Sequence, residues 1–198
     1  MSKKTLLKRA LLVFAVLFVA FIGLVAMQPS EFEVDRSATI AAPASLAYGL
    51  VNDFHKWEGW SPWSKRDPSA RKTFEGSPTG TGAVYHWDGN AEVGEGIATI
   101  TESKPSELIK IRLEFIKPFA GTNFAEFRFK DEGGETLVTW SIKGRCNFIA
   151  KGLHLFLDMD KMIGGDFESG LREIKYLAEL EKENDKSLTK AEDIKAER

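Results

Sequence analysis

The sequence predicts an α+β protein: a curved antiparallel sheet wrapped around a long C-terminal helix, preceded by one N-terminal transmembrane helix. Three observations predict it. Residues 71–143 hold a series of short segments in which apolar and polar residues alternate, the period of strands covered on one face. Residues 153–178 carry apolar residues at helical spacing. Residues 10–27 form an uncharged apolar run behind Lys3, Lys4, Lys8 and Arg9. A sheet with one apolar face must curl around the helix to hide that face from water.

The apolar run comes first. Eighteen residues at 1.5 Å each reach about 27 Å, just enough to cross a hydrocarbon core. The run is longer than the core of a secretory signal, and Leu24 spoils the small-residue cleavage pattern around Ala26. Basic residues before it, and Glu31, Glu33 and Asp35 after it, put the N-terminus in the cytoplasm. An uncleaved anchor is expected, with a cleaved signal as the alternative and the domain then secreted. Residues 1–30 are the anchor and linker, 31–180 the folded domain, and 181–198 a charged tail or frayed helix end.

Residues 31–40 alternate through Phe32, Val34 and Ile40 and read as the first strand. Pro43 suits the first turn of a helix over 44–51. The stretch 57–64, WEGWSPWS, continues as a short helix or loop broken at Pro62, and Asp67-Pro68 marks a turn. Strands follow over 71–75, 82–88, 96–102, 108–115, 123–130 and 136–143, with a hairpin signal at Asp88-Gly89-Asn90. The closing helical stripe runs through Leu153, Phe156, Leu157, Ile163, Phe167, Leu171, Ile174 and Ala178. Gly164-Gly165 inside it costs about 1 kcal/mol per glycine against alanine. The pair marks either a break between two helices or a close approach to the sheet.

Composition narrows the function classes. The chain has 198 residues and a formal net charge of -2, so no basic excess invites nucleic acid. A single cysteine, Cys146, excludes an internal disulfide framework and a Cys-rich zinc site. It also argues against reading Trp60–Ser64 as the W-S-x-W-S box of disulfide-bonded extracellular receptors. His55, His86 and His154 are too scattered for a metal site, and no G-x-S-x-G or G-x-G-x-x-G occurs.

Three stretches carry a family resemblance: IAAPASLAYGLVNDFHKWEGWSPW at 40–63, GTGAVYHWDGN at 80–90, and DKMIGGDFESGLREIK at 160–175. In this order they resemble the START-like superfamily, also called helix-grip, Bet v 1-like or SRPBCC, and within it the polyketide cyclase/dehydrase-like branch. The resemblance implies a helix-grip fold with an apolar cavity between sheet and C-terminal helix. It implies members that bind lipids or other hydrophobic ligands, cyclise polyketides or regulate chaperones, so the fold leaves the function open.

Strand parity sorts the chemistry. His86 and Asp88 share a face and could orient a general base. Tyr85 and Trp87 hold the opposite face, and two aromatics are better suited to the interior, which sends His86 and Asp88 to solvent. The inward set is then Tyr85, Trp87, Ile109, Ile111, Leu113, Phe115, Ala125, Phe127, Phe129, Val138, Trp140 and Ile142. Its polar atoms are a phenol and two indoles, which suit hydrogen bonding to a ligand. Asp160 falls in the helical stripe as a helix-end aspartate or as a desolvated carboxylate on the cavity wall. Trp57 and Trp60 share a helical face, and Trp63, beyond Pro62, points elsewhere. They form a structural plug or the lip of a pocket.

The expected function is a membrane-anchored START-like domain that binds a hydrophobic small molecule or lipid. Its ligand-binding residues are Tyr85, Trp87, Phe115, Phe127, Trp140, Ile163, Phe167, Trp57 and Trp60. No catalytic residue, metal or cofactor is expected, nor nucleic acid as a partner. The expected place is the cytoplasmic membrane, single-pass, with the domain on the outer side. The alternatives are a cyclase- or hydrolase-like enzyme using Tyr85, His86 or Asp160, and a chaperone-activator-like interaction module with a filled core.

Overall fold

The computed structural model describes residues 3–146, 148–155 and 158–196. The chain divides into two compact units, Met1–Phe32 with Arg145–Met159, and Glu33–Gly144 with Asp160–Arg198.

The larger unit is built on a seven-stranded, curved antiparallel sheet in the order β1-β7-β6-β5-β4-β3-β2. The strands are β1 (Glu31–Ile40), β2 (Arg71–Gly76), β3 (Ala83–Asp88), β4 (Glu95–Lys104), β5 (Leu108–Lys117), β6 (Gly121–Asp131) and β7 (Thr136–Arg145). The register aligns the apolar residues of neighbouring strands. Ile100 faces Ile111, Ile111 faces Ala125, and Phe127 faces Trp140. Because side chains alternate, this pairing gathers Ala98, Ile100, Ile109, Ile111, Ala125, Phe127, Phe129, Val138, Trp140 and Ile142 on one buried face. The other face carries ion pairs such as Arg112–Glu114, Arg128–Glu126 and Lys143–Glu33. Exposed pairs of this kind add little stability and serve mainly to keep the outer face wet.

Between β1 and β2 lie α2 (Ala44–Asn52), a 3-10 turn (Phe54–Lys56), α3 (Trp57–Trp60) and α4 (Pro62–Arg66). Helix α2 buries Ala47, Leu50 and Val51. Its far end is held by a polar chain: the Tyr48 and Ser103 hydroxyls lie 2.5 Å apart, and Ser103 donates to Asn52 Oδ1 at 2.6 Å. Pro62 starts α4, where its missing N–H costs nothing.

The long helix α6 (Met159–Ala196) is continuous through Gly164-Gly165. There is no break; the close approach is the correct reading. A Cβ on Gly164 would overlap the Arg36 guanidinium of β1. Beyond it Phe167, Leu171, Ile174 and Ala178, spaced four, three and four apart, are buried. The charged stretch after Leu180 stays helical to Ala196.

The β3–β4 connection is longer than the two-residue hairpin expected at Asp88-Gly89-Asn90, because β4 begins only at Glu95. Buried Asp67 organises it. Its carboxylate accepts from Ser69 Oγ at 2.7 Å and from the Asn90 N–H at 2.7 Å, which ties the turn before β2 to the turn after β3. The Ser69 hydroxyl first, and the Asn90 N–H with it, hold this carboxyl below the ordinary aspartate range.

In the smaller unit, α1 (Lys3–Met27) has its apolar side chains exposed. Its Leu7–Met27 stretch, with mean hydropathy 3.0, is long and apolar enough to cross a membrane, a description that a signal sequence also meets. Among the described residues Val25 is the buried exception. Beside it lies α5 (Phe148–His154), whose Gly152 would place a Cβ 3.9 Å from Val25 Cγ2. The Cys146 N–H donates to the Ser30 carbonyl at 2.8 Å. This corrects the single C-terminal stripe expected from Leu153 onward. The first part of that stripe is a separate helix grouped with α1, and Phe156, Leu157 and the side chain of Leu153 lie outside the described residues.

Candidate functional site

The inner face of the sheet holds two aromatic groups of different character. The first is closed. Trp140 of β7 lies parallel to Phe167 of α6, with centroids 4.0 Å apart and planes 9° apart, and is stacked on its other side by Phe127 at 4.7 Å. Trp60 meets Trp140 edge-on at 5.5 Å and Phe127 at 6.0 Å. Trp60, Phe127, Phe167 and Trp140 are all buried. Gly170 on α6 makes room for this ring: a Cβ there would lie 2.7 Å from Trp140 Cζ3.

The WEGWSPWS segment belongs to this closed group. Trp57 and Trp60 share one helical face, 4.9 Å apart, and each indole donates at 2.9 Å to a carbonyl of α2, Trp57 to Val51 and Trp60 to Leu50. Trp63 does not point elsewhere. It meets Trp140 edge-on at 5.8 Å, because α4 restarts the helical path at Pro62 and turns the indole back onto the same ring. The Trp140 Nε1–H is buried and has no partner among the described residues.

The second group is open. His55, Phe74, Tyr85, Trp87 and Phe115 form a ladder across β2, β3 and β5 with successive centroids 4.0, 5.4, 5.8 and 5.9 Å apart. Tyr85, Trp87 and Phe115 are only half-buried, and Phe74 is 38% exposed. Trp87 lies over Gly96, its partner on β4, where any Cβ would collide with the indole. The small residue therefore sets the height of the ladder. Phe54 and Trp57 close one side against Tyr85 at 5.7 and 6.2 Å.

Polar groups stand at the edge of the ladder. The Tyr85 hydroxyl has no hydrogen-bond partner among the described residues. Burial, aided by the charge of Glu58, pushes its pKa up to about 12, so it stays a neutral donor. Glu58 pairs with Lys72 at 3.2 Å, and Lys72 sits beside Trp87 in the register, its side chain 15% exposed. Neither was expected from sequence, because residues 71–75 alternate weakly. Parity along β2 nonetheless places Lys72 and Phe74 on one face. The Trp87 indole leans on the Val93 carbonyl at 3.4 Å.

The acid–base candidates fall away from this face. His86 and Asp88 lie on the outer side of β3, where His86 Nε2 approaches Glu75 at 3.8 Å and Asp88 pairs with Arg71 at 2.6 Å. Asp160 is not a desolvated carboxylate. It is exposed at the start of α6 and holds Arg36 at 2.8 Å, while Glu168 takes Arg36 Nε at 3.0 Å. The hydrogen bond to Asp160 first, then that to Glu168, raises the guanidinium pKa further. Arg36 was missed although the alternation of β1 through Val34 places it inward. Ile163 lies half-buried on α6, one turn before Phe167. Among the described residues no cluster of His, Cys, Asp and Glu could hold a metal ion.

A solvent-open groove of about 550 Å³ lies elsewhere, between the start of α2 and the C-terminal stretch of α6. Pro43 and Leu46 line it together with Lys182, Asp185, Lys186 and Asp193, so its wall mixes apolar surface with charged side chains.

With this geometry the chain can be set beside known proteins. A search of curated proteins finds no match. Among solved structures, protein CV1439 from Chromobacterium violaceum shares 12% identity at TM-score 0.55, over 74% of this chain and 96% of that one. XoxI from Bacillus cereus shares 18% at TM-score 0.53, over 75% and 97%. The di-domain ARO/CYC BexL from the BE-7585A biosynthetic pathway shares 18% at TM-score 0.57, over 88% of this chain and 60% of that one. At such identities these likenesses describe the fold. The sequence model for polyketide cyclase / dehydrase and lipid transport matches residues 31–179, from the first strand to the middle of α6. The chain belongs to the polyketide cyclase / dehydrase and lipid transport family.

Proposed function

We propose that this chain is a membrane-anchored binding domain for a hydrophobic small molecule or lipid, with α1 as the anchor and the domain on the outer side of the cytoplasmic membrane. The observation that carries the reading is the open ladder. Four aromatic rings, Phe74, Tyr85, Trp87 and Phe115, stand on the inner face without full burial. Water-exposed aromatic surface is costly, and an apolar ligand laid across it would recover that cost. The Tyr85 hydroxyl, without a hydrogen-bond partner among the described residues, is placed to orient one polar atom of that ligand. Trp57 borders the ladder at Tyr85, while Trp60, Phe127, Trp140 and Phe167 form the packed group beside it.

Family membership supports a hydrophobic-ligand domain, and BexL, which shares the fold, is a di-domain ARO/CYC protein of a biosynthetic pathway. A cyclase or hydrolase reaction finds little support in the site. His86 and Asp88 stand on the wrong face, and Tyr85 with its raised pKa is a poor proton acceptor near neutral pH. The interaction-module reading is favoured by one observation, the closed packing around Trp140.

Native mass spectrometry of the full chain extracted in mild detergent tests the proposal. The expected spectrum shows a co-purified hydrophobic molecule that is lost in Trp87→Ala and weakened in Tyr85→Phe. Ligand-free protein that takes up nothing from a total lipid extract would sink it and leave the interaction module standing.

A further inference from the structure

The geometry points to a second membrane-contacting element: α5 lies in the lipid–water interface beside α1 and, with the residue that follows it, presents Phe148, Ile149 and Leu155 to lipid. This rests on the reading of α1 as a membrane anchor.

Three observations carry it. Phe148, Ile149 and Leu155 are 52%, 65% and 37% exposed, a density of bare apolar surface that a water-facing helix of seven residues does not sustain. Residues 148–157, FIAKGLHLFL, hold only Lys151 and His154 as polar side chains. The helix packs on α1 at Val25, the one apolar side chain of α1 that is buried among the described residues.

The contact also fixes the depth. Val25 stands two residues before the last residue of α1, about 3 Å along the axis from the end of the apolar run. A helix touching the anchor there sits at the boundary between acyl chains and headgroups, where amphipathic helices settle about 5–10 Å into the bilayer. Seven residues cannot span a membrane, so the helix lies on it rather than through it. Half-buried Lys151 fits this place, because a lysine stem can follow apolar surface while its ammonium reaches the headgroups. The occupant is therefore the lipid of the bilayer that holds α1, made continuous with α5 by the Val25 contact.

The test uses the full chain in phosphatidylcholine vesicles with Cys146→Ala as background. An environment-sensitive fluorophore is placed in turn at Val16→Cys in α1, Ile149→Cys in α5 and Lys130→Cys on the outer face of the sheet. All three positions are exposed, so labelling leaves packing intact. Lipid carrying a nitroxide is expected to cause a loss of emission at 16 and 149 and none at 130. Loss at 16 with a water-like, unquenched probe at 149 overturns the inference and leaves the anchor standing. A probe at 149 that is shielded from water but indifferent to the nitroxide overturns it in favour of a protein partner. No quenching at 16 overturns the anchor, and this inference with it.

Discussion

Gly170→Ala measures how full the interior behind α6 is. The added methyl carbon would lie 2.7 Å from Trp140 Cζ3 and 3.4 Å from Pro62 Cδ. An ordinary carbon contact is about 3.5–4.0 Å, so the overlap approaches 1 Å. The indole has nowhere to go, with Phe167 at 4.0 Å on one face and Phe127 at 4.7 Å on the other. Overpacking of this kind costs about 1–3 kcal/mol. Alanine for glycine inside a helix returns about 1 kcal/mol. The net expectation is a loss of about 0–2 kcal/mol. Gly165→Ala supplies the control on the same helix, because nothing lies within 4 Å of its Cβ. It keeps the helical gain and should stabilise by about 1 kcal/mol. The two variants should thus differ by about 1–3 kcal/mol in urea unfolding of the detergent-held chain, followed by near-ultraviolet circular dichroism. Equal stabilities would refute the reasoning. They would mean that Trp140 can retreat into free space behind this ring.

Two further outcomes follow from the same rings. A titration of phenolate absorbance at 295 nm should show a step near pH 12 that Tyr85→Phe removes, and its absence would contradict the burial of this phenol. Since its folded pKa is raised, the stability it contributes is full below the unfolded value of about 10 and is lost as pH rises toward about 12. Trp60→Phe should destabilise more than Trp140→Phe by about 1–3 kcal/mol, because only Trp60 donates to a carbonyl, while the Trp140 N–H is stripped of water without a partner among the described residues. The reverse order in chemical denaturation would show that the Trp140 indole is hydrogen-bonded.

Local periodicity carried much of the fold. The first strand runs over 31–40 as read, and parity put Tyr85 and Trp87 inside with His86 and Asp88 outside. What failed depends on pairs distant in sequence. The apolar composition from Leu153 onward suits the start of α6 as well as a separate helix, and only the grouping of α5 with α1 tells the two apart. Gly164-Gly165 looks like a helix stop until Arg36, over a hundred residues away, is seen to need the space. Trp63 depends on the path set by two short helices around Pro62. Lys72 and Phe74 were hidden because an edge strand with charged residues at both ends, Arg71 and Glu75, alternates poorly.

The division of the aromatics has an optical consequence. Trp57, Trp60, Trp63 and Trp140 are chained within ring contact of one another, and the fifth tryptophan, Trp87, stands apart on the ladder. Excitation will hop among the four clustered indoles and depolarise their emission, while Trp87, joined to Trp57 only through Tyr85, has no indole in direct ring contact among the described residues. The chain thus carries an intrinsic reporter at the place where a ligand would lie. Anisotropy at the main band compared with the red edge of excitation, where hopping fails, reports how far Trp87 shares in that transfer, without any label.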